Sequence, residues 1–394
     1  MEYRAFGPLG WRPSALGFGC MRFPRRTDGS GEIDAAAATE MLRYAIDQGV
    51  NYLDTAHVYP GSEQVMGEAL AGGYREKVRL ATKLPVWDVK TTADADRIFT
   101  EQLVRLQTGH IDFYLFHGLH EQRWARIKEL GLLGWAERKV AEGLIGHIGF
   151  SFHASPRALK DIIDGYDGWT LCQVQYNYLD TTNQAGTEGL EYAHGKGLAI
   201  VIMEPLRGGL LATPPSDEIK ALFEAGPVGQ ERTPADLALQ WLWSRPEVSL
   251  VLSGMSTLEQ VVENVASAER SKVGLLGPEE LRLCERLAEA YRSRTAVPCT
   301  FCGYCRVCPE GLDLPRVFGI YNDACIRLPD RSRFERIAKI YPNWPAEMRV
   351  ERCTECGTCE EVCSQRMPVR EYVKKVAADY GVAKEESAKP SATG

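Results

Sequence analysis

Eight short apolar segments, spread over the first 254 residues, constrain the fold of this chain more than any other feature. Each is rich in β-favouring residues along its whole length, which is typical of parallel strands that are buried on both faces. Longer segments with apolar residues at helical spacing separate them. The eight segments span residues 15–19, 52–56, 78–83, 113–117, 145–151, 171–176, 199–204 and 248–254.

The linking segments carry signals for helix starts. Ser155-Pro156 and Thr233-Pro234 each offer a capping hydroxyl followed by a proline at the first helical position. Ser62 is expected to cap another helix. Eight strand–helix units over this length predict an α/β fold with a closed (β/α)₈ TIM barrel. An open doubly wound sheet is the alternative, but residues 17–22 (GFGCMR) do not complete its G-x-G-x-x-G motif.

The length and charge of the chain limit its class. At 394 residues it exceeds the size at which one core stops growing, so we expect two domains. A net charge of −7 gives no general attraction for nucleic acid or for an anionic membrane. No apolar run approaches the roughly 20 residues of a membrane span, and the first residues lack the regions of a signal peptide. We therefore expect a cytoplasmic protein that binds neither nucleic acid nor a membrane. The sequence does not define its oligomeric state.

Polar residues follow three neighbouring predicted strands. Asp54 and Tyr59 come at the end of the second, Lys83 at the end of the third and His117 at the end of the fourth. Because active sites of such barrels lie at the carboxyl ends of the strands, we expect these four side chains to meet at one mouth. A tyrosine is a weak acid at neutral pH unless its anion is stabilised, and a lysine held by an aspartate would supply that stabilisation. The alternative is an inactive barrel with an internal ion pair.

These residues and several later segments resemble the aldo-keto reductase family over roughly residues 1–290. The resemblance implies a small-molecule carbonyl or alcohol substrate and hydride transfer with NADP(H) or NAD(H). It assigns catalysis to Asp54, Tyr59, Lys83 and His117, with Tyr59 protonating the carbonyl oxygen and His117 orienting it. The matching segments are 17–19 (GFG), 54–63 (DTAHVYPGSE), 148–151 (IGFS), 173–177 (QVQYN) and 204–206 (EPL), together with Lys83, His117 and Asn264.

The resemblance also implies a dinucleotide across the barrel mouth. Ser151 and Gln173 would hold the carboxamide, and Met203 stands where many relatives place an aromatic residue beside the ring. The remaining expected contacts are Pro205, Leu206, Arg207, Gly254, Met255, Ser256, Gln260 and Asn264.

Two departures leave the choice between NADPH and NADH open. Relatives often carry a basic residue at the position of Gly254 or Met255, and an arginine at that of Gln260. Such charges make the strong contacts with a 2′-phosphate. Arg207 is the best remaining candidate for a phosphate contact.

Nine of the 12 cysteines lie between Cys299 and Cys363, eight of them in two groups. Residues 299–309 (CTFCGYCRVCP) and 353–364 (CTECGTCEEVCS) resemble the C-x2-C-x2-C-x3-C-P signature of bacterial ferredoxins, in which the fourth cysteine of a run ligates the other cluster. Two departures are a gap one residue short before Cys308 and Ser364 in place of proline.

The ferredoxin resemblance implies two 4Fe-4S clusters. One would be held by Cys299, Cys302, Cys305 and Cys363, and the other by Cys353, Cys356, Cys359 and Cys308. Structural zinc is the alternative, although its cysteines usually come as separated pairs. Cys325 is expected to be a buried thiol, and its role as a ligand is left open. We therefore expect the barrel over residues 1–292, a small helical ferredoxin-like domain over 293–383 and a disordered tail over 384–394.

Hydride transfer moves two electrons, whereas an iron–sulfur cluster moves one. The clusters are therefore either structural or pass electrons, and a flavin in the barrel could mediate, although no motif supports one. The alternative function is a redox sensor or a partner-dependent electron carrier, in which the barrel binds nucleotide or flavin and a redox protein is the partner.

Overall fold

The computed structural model describes residues 1–213, 216–226, 232–327 and 332–382. Within these residues, eight parallel strands form one closed barrel in sequence order. Closure is made by β1 and β8, where Leu16 lies opposite Val251. The strands are β1 Leu16–Gly19, β2 Tyr52–Asp54, β3 Arg79–Leu84, β4 Ile111–Leu119, β5 Ile145–Phe152, β6 Leu171–Gln175, β7 Ala199–Met203 and β8 Leu250–Ser253.

The prediction of a (β/α)₈ barrel is confirmed, since each strand overlaps its predicted apolar segment, and β3, β4 and β5 extend one or two residues beyond theirs. The strands are almost fully buried along their length because helices cover the outside of the sheet. The helices are α1 Ala35–Asp47, α2 Ser62–Ala69, α3 Thr92–Arg105, α4 Glu121–Glu129, α5 Leu132–Ala141, α6 Pro156–Asp164, α7 Gly186–Gly195, α8 Asp217–Glu224, α9 Pro234–Trp243, α10 Leu258–Ala268, α11 Pro278–Arg292, α12 Leu314–Arg327, α13 Ser332–Ile340, α14 Thr358–Glu361 and α15 Val369–Tyr380.

Two of the three predicted helix caps are present. The side chains of Ser155 and Thr233 accept hydrogen bonds from the backbone of the first turns of α6 and α9. The prediction for Ser62 is wrong. Ser62 is the first residue of α2 and not the residue before it. Its hydroxyl donates a hydrogen bond to the carbonyl oxygen of Cys20 at 2.8 Å and contacts the hydroxyl of Thr55. This serine ties the start of α2 to the loop after β1.

The amino-terminal end of the barrel is closed by a hairpin. Tyr3 pairs with Ser14 and Phe6 with Leu9 in antiparallel bridges. The ring of Phe6 packs 5.2 Å from that of Phe113, at the base of β4. Apolar side chains fill the barrel interior at this end, and active sites of such barrels lie at the opposite end.

The chain divides into two compact units. The first comprises Met1–Thr213 and Gly226–Glu285, and the second Pro214–Ala225 and Arg286–Gly394. The segment with α8 groups with the second unit, where Glu218 forms an ion pair with Arg294. The predicted tail over 384–394 lies outside the described residues.

The second unit is helical over its described residues and has its own core. Val317, Tyr321, Val373 and Val376 are among the buried side chains, from α12 and α15. None of the helices in the described part of the chain is long and apolar enough to cross a membrane.

Candidate functional site

The carboxyl ends of β2 and β3 bring a carboxylate and an amine together. Nζ of Lys83 lies 2.6 Å from Oδ1 of Asp54 and donates a second hydrogen bond to the carbonyl oxygen of Thr55 at 2.7 Å. Both side chains are buried. Burial raises the pKa of Asp54, and the charge of Lys83 opposes that rise. Since a lone charge in such a place is very costly, loss of either partner would leave the other without compensation.

Tyr59 lies on the turn that follows β2, beside this pair. Its backbone N–H donates to the carbonyl oxygen of Ala56 at 3.0 Å, which fixes the turn. The ring centroid is 5.5 Å from Nζ of Lys83 and 6.2 Å from the ring of His117, at an interplanar angle of 88°. The phenol is half-buried, so one side of it faces the mouth.

His117, near the end of β4, completes the group. Burial, and next to it the charge of Lys83, lowers the pKa of His117 well below its usual range. The imidazole is therefore neutral at neutral pH and can donate a hydrogen bond without adding charge. Trp87 packs 5.2 Å from its ring and is partly exposed at the rim. The structure thus brings together all four residues that were predicted to meet.

The residues predicted to hold a carboxamide lie at the ends of β5 and β6. Ser151 pairs with Gln173 in register, and both side chains are buried. The hydroxyl of Ser151 accepts from the backbone N–H of Gly118 at 2.7 Å. Oε1 of Gln173 has no hydrogen-bond partner among the described residues, while Nε2 lies 3.9 Å from Sδ of Met203. A buried amide oxygen without a hydrogen bond costs free energy, so a ligand that donates to it would be favoured.

Arg207 does not point its charge into an open site. Its guanidinium lies 3.2 Å from Oδ2 of Asp180, and both side chains are buried. Gln175 and Asn177 donate to the same carboxylate oxygen at 3.1 and 3.2 Å. Of its neighbours, Pro205 is buried and Leu206 packs partly buried against the barrel core. The structure therefore gives Arg207 a protein partner inside a polar network.

The predicted adenosine contacts lie between β8 and α10. Gly254 and Ser256 are exposed, and Met255 is buried. The backbone N–H of Ser256 donates to Oε1 of Gln260 at 2.8 Å. Nδ2 of Asn264 donates to the hydroxyl of Ser253 at 2.9 Å. Asn264 therefore anchors the middle of α10 to the end of β8.

Arg22 is a candidate site residue that the sequence analysis missed. Its side chain packs against Gly254, where three of its carbons lie 3.4 Å from the position that a Cβ would take. Its carbonyl oxygen accepts from the hydroxyl of Ser256 at 2.7 Å. Because it ends the short turn Cys20–Arg22 that follows β1, a search of the strand ends for cations would have found it.

The cysteines of the first predicted set lie together in the second unit. Cys299, Cys302, Cys305 and Cys363 line one cavity, whose other walls include Phe318, Met367 and Val369. Burial and four neighbouring thiols, one of them Cys359 of the other set, raise the pKa of Cys305. For the other set, burial, with Cys353 and Cys308 nearby, raises the pKa of Cys359 to about 11.

The cysteine sets do not form a site for one metal ion. Among the described residues, no three His, Cys, Asp or Glu side chains are close enough together to bind a single ion. The four cysteines of a 4Fe-4S cluster bind different irons of one larger group. Cys325 is buried on α12 and is not part of the wall of the cysteine cavity. The clusters themselves stay a prediction.

Comparison with known proteins gives a consistent family for the barrel. The family model described as aldo/keto reductase family matches residues 15–285, and so ends before the first cysteine group. The chain is 28% identical over 313 residues to the uncharacterized oxidoreductase YrpG of Bacillus subtilis, covering 69% of this chain and 92% of that protein. It is 27% identical over 314 residues to the L-galactose dehydrogenase of Arabidopsis thaliana, covering 75% and 97%.

Two solved structures show the same barrel. The holo form of aldo-keto reductase AKR11C1 from Bacillus halodurans is 28% identical, with a TM-score of 0.61, and the match covers 73% of this chain and 96% of that one. An aldo-keto reductase from Klebsiella pneumoniae in complex with NADPH is 27% identical, with a TM-score of 0.58 and the same coverage.

Proposed function

The chain belongs to the aldo/keto reductase family, and from that premise we propose that it interconverts a carbonyl and an alcohol on a small molecule through Asp54, Tyr59, Lys83 and His117. It is an NAD(P)-dependent oxidoreductase of the aldo/keto reductase type. The observation that carries the proposal is the buried ion pair of Lys83 and Asp54 beside the phenol of Tyr59.

The four residues divide the work of proton transfer. Tyr59 donates its proton to the carbonyl oxygen in reduction and takes it back in oxidation. Lys83 stabilises the tyrosinate that results, because its positive charge is held nearby by Asp54. His117, neutral at working pH, donates a hydrogen bond to the same oxygen and stabilises the charge that develops there. The hydride itself is supplied by the nicotinamide when it is bound.

The residues at the mouth fit such a cofactor. Gln173 presents a buried amide oxygen without a partner among the described residues, and a carboxamide N–H would satisfy it. Met203, beside it, can pack on a ring face. Gly254 and Ser256 leave an exposed backbone at the start of α10, and Arg22 adds a positive charge beside them. We propose that NADPH is the preferred form, since a phosphate would bind to that arginine.

We further propose that residues 293–383 form a ferredoxin-like domain with two 4Fe-4S clusters. The support is the cavity lined by Cys299, Cys302 and Cys305 of the first cysteine group together with Cys363 of the second. Thiolates are the ligands that such clusters require. The clusters would supply one-electron chemistry, or hold the domain together, without a direct part in the proton transfer at Tyr59.

The deciding experiment uses the anaerobically purified full chain. Iron, sulfide and flavin are quantified, and absorption spectra are taken before and after NADPH or NADH is added, with a panel of aldehydes and ketones assayed in parallel. We expect about eight irons per chain if both clusters form, and nucleotide oxidation only when a carbonyl is present. A protein without iron would refute the cluster proposal, and one without turnover of any carbonyl or alcohol would refute the reductase proposal.

If the cluster band bleaches on addition of nucleotide alone, the two units exchange electrons and a mediator such as flavin has to be sought. If the band is present and indifferent to nucleotide, the clusters are structural or are reduced by a partner protein.

A further inference from the structure

The two cysteine groups form a repeated loop. Residues 299–305 (CTFCGYC) and 353–359 (CTECGTC) share their cysteines, a threonine and a glycine. Phe301 and Glu355 occupy the same left-handed backbone region, with φ of 59° and 60°. Their N–H groups donate to the sulfurs of Cys299 and Cys353, each at 3.4 Å. The two proposed clusters therefore share this backbone contact, and they differ in the side chains and in the solvent exposure around them.

Cys302 and Cys356 are equivalent in this repeat, but each has a different hydroxyl nearby. Oγ of Ser364 lies 3.4 Å from Sγ of Cys302. Oγ1 of Thr358 lies 3.4 Å from Sγ of Cys356. Ser364 is the residue that replaces the proline of the ferredoxin signature, and it is buried. The exposed Cys356, in contrast, can also receive hydrogen bonds from water.

The direction of the Ser364 hydrogen bond follows from its other partner. Nε2 of Gln365 lies 3.3 Å from Oγ of Ser364 and 3.3 Å from Oγ1 of Thr300. An amide nitrogen only donates, so the serine oxygen accepts from Gln365 and keeps its own proton for another acceptor. A thiolate that ligates iron only accepts. In the proposed cluster, the hydroxyl of Ser364 is therefore the donor to Cys302.

We propose that Ser364 raises the reduction potential of the cluster held by Cys299, Cys302, Cys305 and Cys363; this inference rests on the proposed clusters. In reduction the cluster gains one electron, and no bond to a ligand is made or broken. The added negative charge spreads onto the sulfurs, so a donor to Cys302 stabilises the reduced form more than the oxidised form. Hydrogen bonds to sulfur and solvent exposure are the terms that set such potentials.

The test is an anaerobic redox titration of the full chain, with dithionite as reductant and electron paramagnetic resonance as readout. Wild type, Ser364→Ala, Ser364→Thr and Thr358→Ala are compared. In Ser364→Ala we expect the ratio of reduced to oxidised cluster at fixed potential to fall about tenfold for one cluster only, which is about 59 mV for one electron. Ser364→Thr keeps a hydroxyl and should keep the potential. Thr358→Ala should shift its own cluster less, because water replaces the lost donor.

Two results would overturn the inference: unchanged potentials in Ser364→Ala, or equal shifts of both clusters. If the alanine variant loses iron, Ser364→Pro removes the hydroxyl with the residue that the ferredoxin signature carries, and the same downward shift is expected. Iron and sulfide analysis of the wild type separates the two proposals. Without iron, the proposed clusters fail together with this inference; with iron and unchanged potentials, only this inference fails.

Discussion

Lys83 donates a hydrogen bond of 2.6 Å to Asp54 at a place where neither side chain is more than 5% exposed. The pair joins β2 to β3 across the mouth of the barrel. Removal of water from both groups costs several kcal/mol per ion, and their attraction offsets that cost only while both are present. The same contact therefore contributes to the stability of the barrel mouth and holds the positive charge of Lys83 beside Tyr59.

Removal of one partner should destabilise the barrel more than removal of both. Asp54→Asn or Lys83→Met leaves one buried charge alone, so we expect the free energy of unfolding to fall by about 3–5 kcal/mol in each. The double variant buries no charge and should recover a large part of that loss, while activity stays lost in all three. Urea unfolding curves at neutral pH measure this.

The exposed pair of Lys77 and Asp47 is a matched control. Its atoms are 3.0 Å apart, but each side chain is about half exposed. Lys77→Met should cost no more than about 1 kcal/mol. If the double variant at the buried pair were as unstable as the sum of its two single variants, the pair would not be coupled as the geometry indicates.

Tyr59→Phe should abolish carbonyl reduction and keep nucleotide binding. The variant loses only the hydroxyl, and loss of a general acid costs about 10²–10⁴-fold in kcat. Nucleotide affinity, measured by fluorescence titration, should stay within a factor of about two, since the phenol is not placed at a nucleotide contact. Tyr74→Phe, which removes a hydroxyl bonded to Asp47 at the surface, is the control. Full activity in Tyr59→Phe would refute the assignment.

The barrel was predictable because its signals are local and repeated. A strand that is buried on both faces is apolar along its whole length, so each of the eight segments can be recognised from its own sequence alone. The caps of α6 and α9 are equally local, since Ser155 and Thr233 bond within their own first turns. Register then follows from closure, which places Asp54, Lys83 and His117 at one end.

What the sequence did not predict depends on contacts between distant residues. Ser62 has the sequence of a cap, but its hydroxyl bonds to Cys20, 42 residues away in the chain. Arg207 looked available for a phosphate, and only the structure reveals its pairing with Asp180. Arg22 meets Gly254 because β1 and β8 are neighbours in the closed sheet. Neither local propensity nor spacing carries such information.

Arg22→Ala should weaken binding of NADPH much more than that of NADH. A charge-assisted contact with a phosphate contributes about 1.5–3 kcal/mol, so we expect the KM for NADPH to rise about 10–100-fold. Steady-state kinetics with both nucleotides and one carbonyl give the ratio. Arg25→Ala, in the same loop but bonded to the carbonyl oxygen of Gly31, is the control and should change neither KM. An equal loss for both nucleotides would place Arg22 elsewhere on the cofactor.

Cys302→Ser should remove about half of the bound iron. One of the two proposed clusters loses a ligand, while the set of Cys353, Cys356, Cys359 and Cys308 is untouched. Iron and sulfide analysis of the anaerobically purified variant measures the loss. Cys325→Ser is the matched control, since that buried thiol lies outside the wall of the cysteine cavity, and it should keep its iron. Unchanged iron in Cys302→Ser would contradict the ligand assignment.

His153 should make the barrel less stable as the pH falls. Burial lowers the pKa of His153 to about 4, well below the 6.5 of an unfolded histidine. Above about pH 6.5 the ring is neutral in both the folded and the unfolded state. Between about pH 6.5 and pH 4 the unfolded chain binds a proton that the folded protein does not. The free energy of unfolding therefore falls by about 1.4 kcal/mol per pH unit, or by about 3 kcal/mol in all. Urea unfolding at several pH values should therefore show a shallower slope in His153→Gln than in wild type. His194→Gln, at an exposed position, is the control and should leave the slope unchanged. If His153→Gln had the same slope as wild type, this histidine would not be buried in its neutral form.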